Sequence, residues 1–446
     1  MTALDAGLLD PATTDAADLV GDAAVLAAMV DVEAALLAAL AEAGAAPESA
    51  KDITADRLTD GPLDLAAIAA ASRGSGNPVI PLLAELRRRS PAELRDVLHT
   101  GATSQDVLDT ALLLVADRAR QRIRDGLALV IDRLAELADT YRHTPAVART
   151  LAQQAAPTTA GLRFAVLLDG VLRARTGIDE LELPAQLGGS VGTLAVLADL
   201  LGPERAVAVR EAYARRLGLA TRPTVWHVER SAIAGLGAAL AVLLGALGRI
   251  GLETAQGSRE ELGELSIDLP AGEGGSSAMP QKRNPVPAVL LVAAARRAPG
   301  LASTLLGAQL ALDDRPPGDW HSEWQPLREL LRLALEATAL AQTTAVALTV
   351  DAQRMREHLA DTGGAVHAER AQWALVPVVG RARAAELVRD ALATGDLLPA
   401  LLRAVEADPR AAAAADRIRA VTAVGGPVGL SDTLIDAALD AARSSR

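Results

Sequence analysis

The chain has 446 residues, a net charge of −12 and no cysteine. The length suggests two to four domains, and the missing cysteines exclude disulfides, iron–sulfur clusters and thiolate metal sites, which fits a reducing, cytoplasmic setting. The acidic balance offers no basic face, so nucleic acid is not an expected partner, whereas a small acidic substrate in a local basic pocket is compatible with it. Half of the residues are hydrophobic, yet there are only one Phe, two Tyr and four Trp. The core must therefore come from Ala, Leu and Val. Ala and Leu are strong helix formers, and the expected fold is all-α.

At the start of the chain, Asp5 and Asp10 stand where a signal peptide would carry Lys or Arg. No apolar run follows them, so export is not expected. Residues 21–45 read as a helix, with Leu26, Met29, Val32, Leu36 and Leu40 on one face and Gly44 closing it. Gly61-Pro62 and the run Arg73–Pro78 punctuate the next part, and a short helix is expected from Val79 to Arg89. Five long apolar patterns follow, over 104–142, 158–177, 229–262, 286–312 and 324–348. Patterns of this length suggest a bundle or an oligomer core. Ala232–Gly248 is uncharged and has the length of a membrane span. A helix apolar all round equally fits the centre of a bundle, and no membrane partner is expected. After residue 350 helices shorten and charges become more frequent. The chain thus divides into 1–103, an N-terminal helical domain; 104–349, a central domain of five long helices with the catalytic loop; and 350–446, a small C-terminal helical domain. Strand patterning is nearly absent.

Three polar clusters interrupt the apolar helices. The first, His99–Asp106, lies at the mouth of the first long pattern. Ser104 and Asp106 suit a cap and first turn, and helix N-termini favour anions, so Thr103, Ser104 and Gln105 suit a carboxylate. The second, Arg149–Thr159, is dense in Thr and Gln before a long apolar pattern. The third, Gly274–Pro285, places Ser276, Ser277, Lys282 and Asn284 behind two glycines, with Pro280 and Pro285 in the same run. Glycines let backbone N–H groups turn inward and prolines stiffen the loop. Proton abstraction beside a carboxylate needs a base and donors for the charge that develops. A serine could serve only as an alkoxide, held by loop N–H groups and Lys282 in a site closed to water. A flexible linker is the alternative, but linkers do not usually carry such a run. The six histidines (His99, His143, His227, His321, His358 and His367) show no metal-ligand spacing. No phosphate loop or nucleophile elbow is present. His321 and Glu323 are read as structural.

Gly275–Pro285 (GSSAMPQKRNP) is similar to the signature of the fumarase/aspartase superfamily. Gly101–Thr110 (GATSQDVLDT) resembles its first region and residues 149–159 its second, so the resemblance covers nearly the whole chain. Within that superfamily Ala28–Ala34, Leu187–Thr193, Trp226-His227 and Arg315–Trp324 resemble the 3-carboxy-cis,cis-muconate cycloisomerase subfamily. Many superfamily lyases have a histidine where this chain has Leu151, and the cycloisomerases tend to be apolar there. Val228, Glu229 and Ser231 depart from the expected Thr, Gln and Asp.

The resemblance implies an all-α homotetramer with a twenty-helix core and active sites shared between three subunits. It implies lactonisation of 3-carboxy-cis,cis-muconate in the protocatechuate branch of the β-ketoadipate pathway, with no cofactor and no metal. Ser276 would transfer the proton, with Ser277 beside it. Lys282 and Asn284 would hold a carboxylate and the developing charge. His99, Thr103, Ser104, Gln105, Arg149, Thr150, Gln153 and Arg315 would bind the carboxylates of a small polycarboxylate substrate. The alternative is a β-elimination lyase acting on a substituted succinate, of the adenylosuccinate or argininosuccinate lyase kind, which releases fumarate or a relative. A non-catalytic member of the fold is the third reading, disfavoured because the loop serines and Lys282 are all present.

Overall fold

The computed structural model describes residues 8–12, 15–424 and 428–445. Asp5, used in reading the start of the chain, lies outside the described residues. The elements in chain order are α1 Asp22–Glu42, α2 Ala55–Thr59, α3 Leu65–Ser75, α4 Val79–Arg89, α5 Ala92–Arg95 and α6 Ser104–Thr140. A hairpin of β1 Pro145–Thr150 and β2 Gln153–Thr159 leads into α7 Ala160–Asp179, α8 Ala195–Leu201, α9 Pro203–Leu217 and α10 Ser231–Gly257. Then come β3 Leu265–Ile267, α11 Val286–Gly307, α12 Asp319–Ala347, β4 Leu348–Val350 and α13 Ala352–Ala360. The chain ends in α14 Ala368–Leu392, α15 Leu397–Ala407, α16 Ala415–Thr422 and α17 Ser431–Ser444. The fold is all-α, and α6, α7, α10, α11 and α12 are the five long helices that the apolar patterns predict.

Two compact units are formed. One contains the chain up to Leu127, Ala174–Gly248 and Leu290–Leu340; the other contains Ala128–Arg173, Arg249–Val289 and the chain from Ala341. The boundaries fall inside the five long helices.

In the first unit α1 packs on α9. Val25, Leu26, Met29, Leu36, Leu37 and Leu40 of α1 are buried. Small residues bring α10 and α11 together: a Cβ on Gly248 would lie 2.3 Å from that of Ala295, a separation no packed pair adopts. The centre of this unit is charged. The Arg230 guanidinium is buried and spans Asp109, at 2.7 and 3.2 Å, and Glu323, at 3.0 Å. Trp320 Nε1 donates to Asp109 at 2.8 Å, and the Trp226 ring lies 5.1 Å from the guanidinium. Burial pushes the Glu323 carboxyl up, outweighing the pull of Arg230.

The second unit has a charged centre of its own. Arg149 on β1 grips Glu264 in two-pronged fashion, at 2.6 and 3.1 Å. Arg163 on α7 reaches the same carboxylate at 3.3 Å, and His358 Nδ1 of α13 lies 2.7 Å from it. Burial opposes ionisation, but hydrogen bonds from Arg149 and His358 and the charges of both arginines hold the Glu264 carboxyl down at about 2, against an ordinary 4.5. The C-terminal helices α14, α15 and α16 enclose an aliphatic cluster around Leu375, Leu387, Leu401, Val405 and Ile418.

The hairpin and the β3–β4 pair are the regular strands among the described residues. The hairpin falls where the sequence shows only a polar cluster. It pairs Pro145 with Thr159 through to Thr150 with Gln153, leaving the two-residue turn Leu151-Ala152. Both turn residues have positive φ, 50° and 66°. That is the geometry usually built from Asn-Gly, and neither residue signals it.

Helices α1, α10 and α11 are long and apolar enough to cross a membrane by length and composition alone. Within their most apolar windows the share of residues buried in this chain is 72% for α1, 56% for α10 and 28% for α11. The apolar residues of α1 are thus mostly covered by the chain itself, while much of the surface of α11, including Val286, Val289 and Leu306, is not.

Two stability predictions follow from the charged centres. Arg230→Met strands two buried carboxylates and should cost about 3–5 kcal/mol in denaturant unfolding. Replacing Arg230, Asp109 and Glu323 together with apolar residues of similar size should recover most of that loss. For Glu264 the folded value lies below the unfolded one, so its stabilisation is complete above about 4.5 and is lost as the pH falls towards 2. The shift corresponds to about 3 kcal/mol. Urea unfolding across that window should show a pH-dependent loss in the wild type that is smaller in Glu264→Gln, where the other depressed carboxylates still contribute.

Candidate active site

The expected site residues fall into two groups, one in each unit. In the first unit the group is built on the start of α6. Thr103 N–H donates to Asp106 Oδ2 at 2.9 Å, a reach back over the first turn that satisfies an otherwise free donor. Asp106 is fully buried and accepts three more bonds: from Gly188 and Gly189 N–H, each at 2.9 Å, and from His227 Nε2 at 2.7 Å. The carbonyl of His227 in turn takes Gln105 Nε2 at 2.8 Å. The other end of that amide, Gln105 Oε1, accepts from Arg315 Nε at 3.1 Å. Arg315 Nη2 donates to Thr103 Oγ1 at 3.2 Å and to the Ser190 carbonyl at 3.0 Å.

Thr103, Ser104, Gln105 and Arg315 are therefore neighbours. His99 precedes them by one turn of chain. Its backbone is left-handed, φ 64°, and its Nδ1 lies 2.6 Å from Glu33 Oε1. A helix N-terminus with a guanidinium beside it is an anion-facing arrangement.

In the second unit Arg149, Thr150 and Gln153 sit at the turn end of the hairpin. The guanidinium of Arg149 is already spent on Glu264. Thr150 and Gln153 are exposed, as is Leu151 at the tip, with 98% of its surface free of the chain. A cavity of about 430 Å³ opens beside Arg149, but it holds none of the other expected residues. Its further charges, Arg163, Arg249, Glu253 and Glu264, pair among themselves.

The Gly274–Pro285 loop is pinned at its base. Asn284 N–H donates to the Gly274 carbonyl at 2.7 Å and its side-chain Nδ2 to the same carbonyl at 3.1 Å. Gly274 has φ 69°, and a Cβ there would lie 2.6 Å from the Asn284 carbonyl oxygen. The side-chain amide that sequence reasoning reserves for substrate thus clamps the loop. Ser276 Oγ accepts from the N–H groups of Met279, at 3.2 Å, and Ala278, at 3.4 Å. Ser277 and Lys282 are exposed.

Four residues that the sequence reading leaves out of the site carry its geometry: Glu33, Asp106, His227 and Glu264. Each is buried and paired with a residue distant in the sequence. Glu33 leaves a legible sign of burial, an acid three, four and seven residues before Leu36, Leu37 and Leu40 on a buried helical face. The departures at Val228, Glu229 and Ser231 lie at the start of α10. There Glu229 pairs with Arg222 and accepts from Ser231 N–H at 3.1 Å, so they serve the helix terminus. His321 meets the Gly76 carbonyl at 3.1 Å and Glu323 meets Arg230, both structural partners.

A family model described as a lyase matches residues 16–300. The nitrosuccinate lyase of Streptomyces davaonensis is 44% identical over 395 residues, covering 86% of this chain and 83% of that protein. The 3-carboxy-cis,cis-muconate cycloisomerase of Pseudomonas aeruginosa is 38% identical over 369 residues, covering 81% and 79%. The crystal structure of the 3-carboxy-cis,cis-muconate lactonizing enzyme of Pseudomonas putida matches with a TM-score of 0.87 at 33% identity, over 98% of this chain and 99% of that one. With the signature loop, the first-region helix start and the all-α fold in place, these matches show that the chain belongs to the fumarase/aspartase superfamily and is an enzyme of its lyase and cycloisomerase kind.

Proposed function

We propose that the chain is a cycloisomerase that closes 3-carboxy-cis,cis-muconate to a carboxymuconolactone, in the protocatechuate branch of the β-ketoadipate pathway. The observation that carries this reading is the hairpin tip. Where many lyases of the superfamily place a histidine, this chain presents Leu151. A reaction whose nucleophile is the substrate's own carboxylate has no need of an imidazole at that point. The cycloisomerase relatives and the P. putida fold support the reading.

In this reaction a carboxylate oxygen bonds to one carbon of a C=C bond. The π pair moves to the neighbouring carbon, next to a carboxylate, and takes a proton there. Ser276 is the proposed proton carrier. The N–H groups of Ala278 and Met279 already aim at its Oγ, and such preorganised donors are what an alkoxide form needs. Lys282 in the same loop supplies positive charge, Ser277 lies beside Ser276, and Asn284 holds the loop. His99, Thr103, Ser104, Gln105 and Arg315 take the substrate's carboxylates, and Arg149, Thr150 and Gln153 present the hairpin. The exposed tip, loop and apolar side of α11 support a homotetramer whose sites draw on several copies, and the absence of cysteine fits a cytoplasmic setting. The three sequence segments 1–103, 104–349 and 350–446 are proposed as its domains.

A second reading is favoured by the 44% identity to a nitrosuccinate lyase. In it the loop removes a proton from the carbon beside one carboxylate of a nitrosuccinate. The electron pair forms the C=C bond, and nitrite leaves from the adjacent carbon, giving fumarate.

One pair of assays separates the two. With 3-carboxy-cis,cis-muconate the conjugated-diene absorbance should fall, and nitrosuccinate should release little nitrite. Faster nitrite release than diene loss would replace the first reading by the second. Ser276→Ala should lower kcat with the active substrate by about 10²–10⁴-fold, with the oligomer unchanged on size exclusion. Near-normal turnover would remove Ser276 from the mechanism. Gly274→Ala should lower kcat about tenfold, because left-handed backbone costs a non-glycine residue about 1–2 kcal/mol.

A further inference from the structure

We infer that Glu33 is the positioning residue of His99, fixing which ring nitrogen faces the substrate. Glu33 lies in α1 and is fully buried. Its helical neighbours on that face, Met29, Leu36, Leu37 and Leu40, are buried and aliphatic. Oε1 lies 2.6 Å from His99 Nδ1, while Oε2, among the described residues, has no hydrogen-bond partner. A half-satisfied buried carboxylate is a poor choice for packing, since a leucine would fill the same space without the desolvation cost. Departures of this kind collect where a group has a task.

The other half of the pair shows the same departure. His99 holds φ 64°, a left-handed backbone that few non-glycine residues adopt although histidine tolerates it better than most, and its side chain keeps 14% exposure. A carboxylate oxygen accepts, so the pairing assigns the ring hydrogen to Nδ1, pointing at Glu33. Nε2 makes no hydrogen bond among the described residues. It is the nitrogen left to meet a ligand, in the loop that runs into the Thr103, Gln105 and Arg315 cluster. With Nδ1 fixed, Nε2 accepts a proton or a hydrogen bond when the ring is neutral, and donates to a carboxylate when the ring is charged. The substrate half of this inference rests on the proposed function; the ring half does not.

The test therefore begins without substrate. Nitrogen-15 NMR of the free wild-type enzyme should show His99 with hydrogen on Nδ1, and Glu33→Leu should shift the ring towards the Nε2–H form. Glu33→Met serves if the leucine variant does not fold. With whichever substrate proves active, the apolar variant should lose roughly 10–100-fold in kcat/KM, the range seen when a carboxylate that orients a metal-binding histidine is removed. It should be no less stable than the wild type. Glu33→Gln, which keeps an acceptor for Nδ1–H, should recover most of the loss. In a His99→Gln background the Glu33 substitution should have no further kinetic effect. Unchanged His99 resonances in the apolar variant would overturn the inference. So would a kinetic loss that persists without His99, which would make Glu33 merely structural. Failure of both candidate substrates would leave the NMR result standing and indict the functional reading alone.

Discussion

The anion-facing side of the first unit depends on one carboxylate that itself faces no solvent. Asp106 accepts four hydrogen bonds, from the start of α6, from two consecutive glycine N–H groups and from His227. Three stretches of chain far apart in sequence are thereby held to one point. Through the His227 carbonyl the order passes to Gln105 and then to Arg315. In a core with so few rings, most contacts are between small aliphatic side chains, whose dispersion attraction is individually small and non-directional. Directional order comes instead from buried charge, at Asp106, at Arg230 and, in the second unit, at Glu264.

The two groups of site residues are held in different ways. Those around α6 are locked by side chains that bond to one another. Those in the second unit ride on backbone: a two-residue turn, and a loop tied at its base by Asn284 and Gly274. Proton transfer beside a carboxylate is common to lactonisation and to elimination, so the chemistry proposed for the loop fits either. What separates the two reactions is the group that attacks or departs, so under the proposed function the discriminating residues are sought on the α6 side and at the hairpin tip rather than in the serine loop.

The helices were legible because their apolar periodicity is long and unbroken by proline except at tolerated positions. The start of α6 was legible because Ser104 and Asp106 carry cap chemistry. The hairpin was not: Gln153–Thr159 does not alternate apolar and polar residues, and Leu151-Ala152 lacks the residues that a tight turn usually takes. Ser276 and its neighbours announced themselves as a motif, whereas the buried pairing of Asp106 with His227 and of Glu264 with Arg149 did not. A buried acid is recognised by its partner, and those partners lie 121 residues away for His227 and 115 for Arg149. Local pattern carries no trace of a contact at that distance. Asn284 shows the opposite limit: the motif flagged the residue, and only the folded loop revealed that its amide is used to hold backbone.

The left-handed backbone at Leu151 has an evolutionary corollary. A branched aliphatic residue is among the worse occupants of such a conformation, and histidine, asparagine and aspartate are among the better ones. Exchanging the leucine for a histidine would relieve strain while delivering an ionisable group to an exposed tip. Stability and new chemistry usually trade against each other when an enzyme diverges; at this position they point the same way, so the scaffold opposes little to a passage between apolar and acid–base versions of the site.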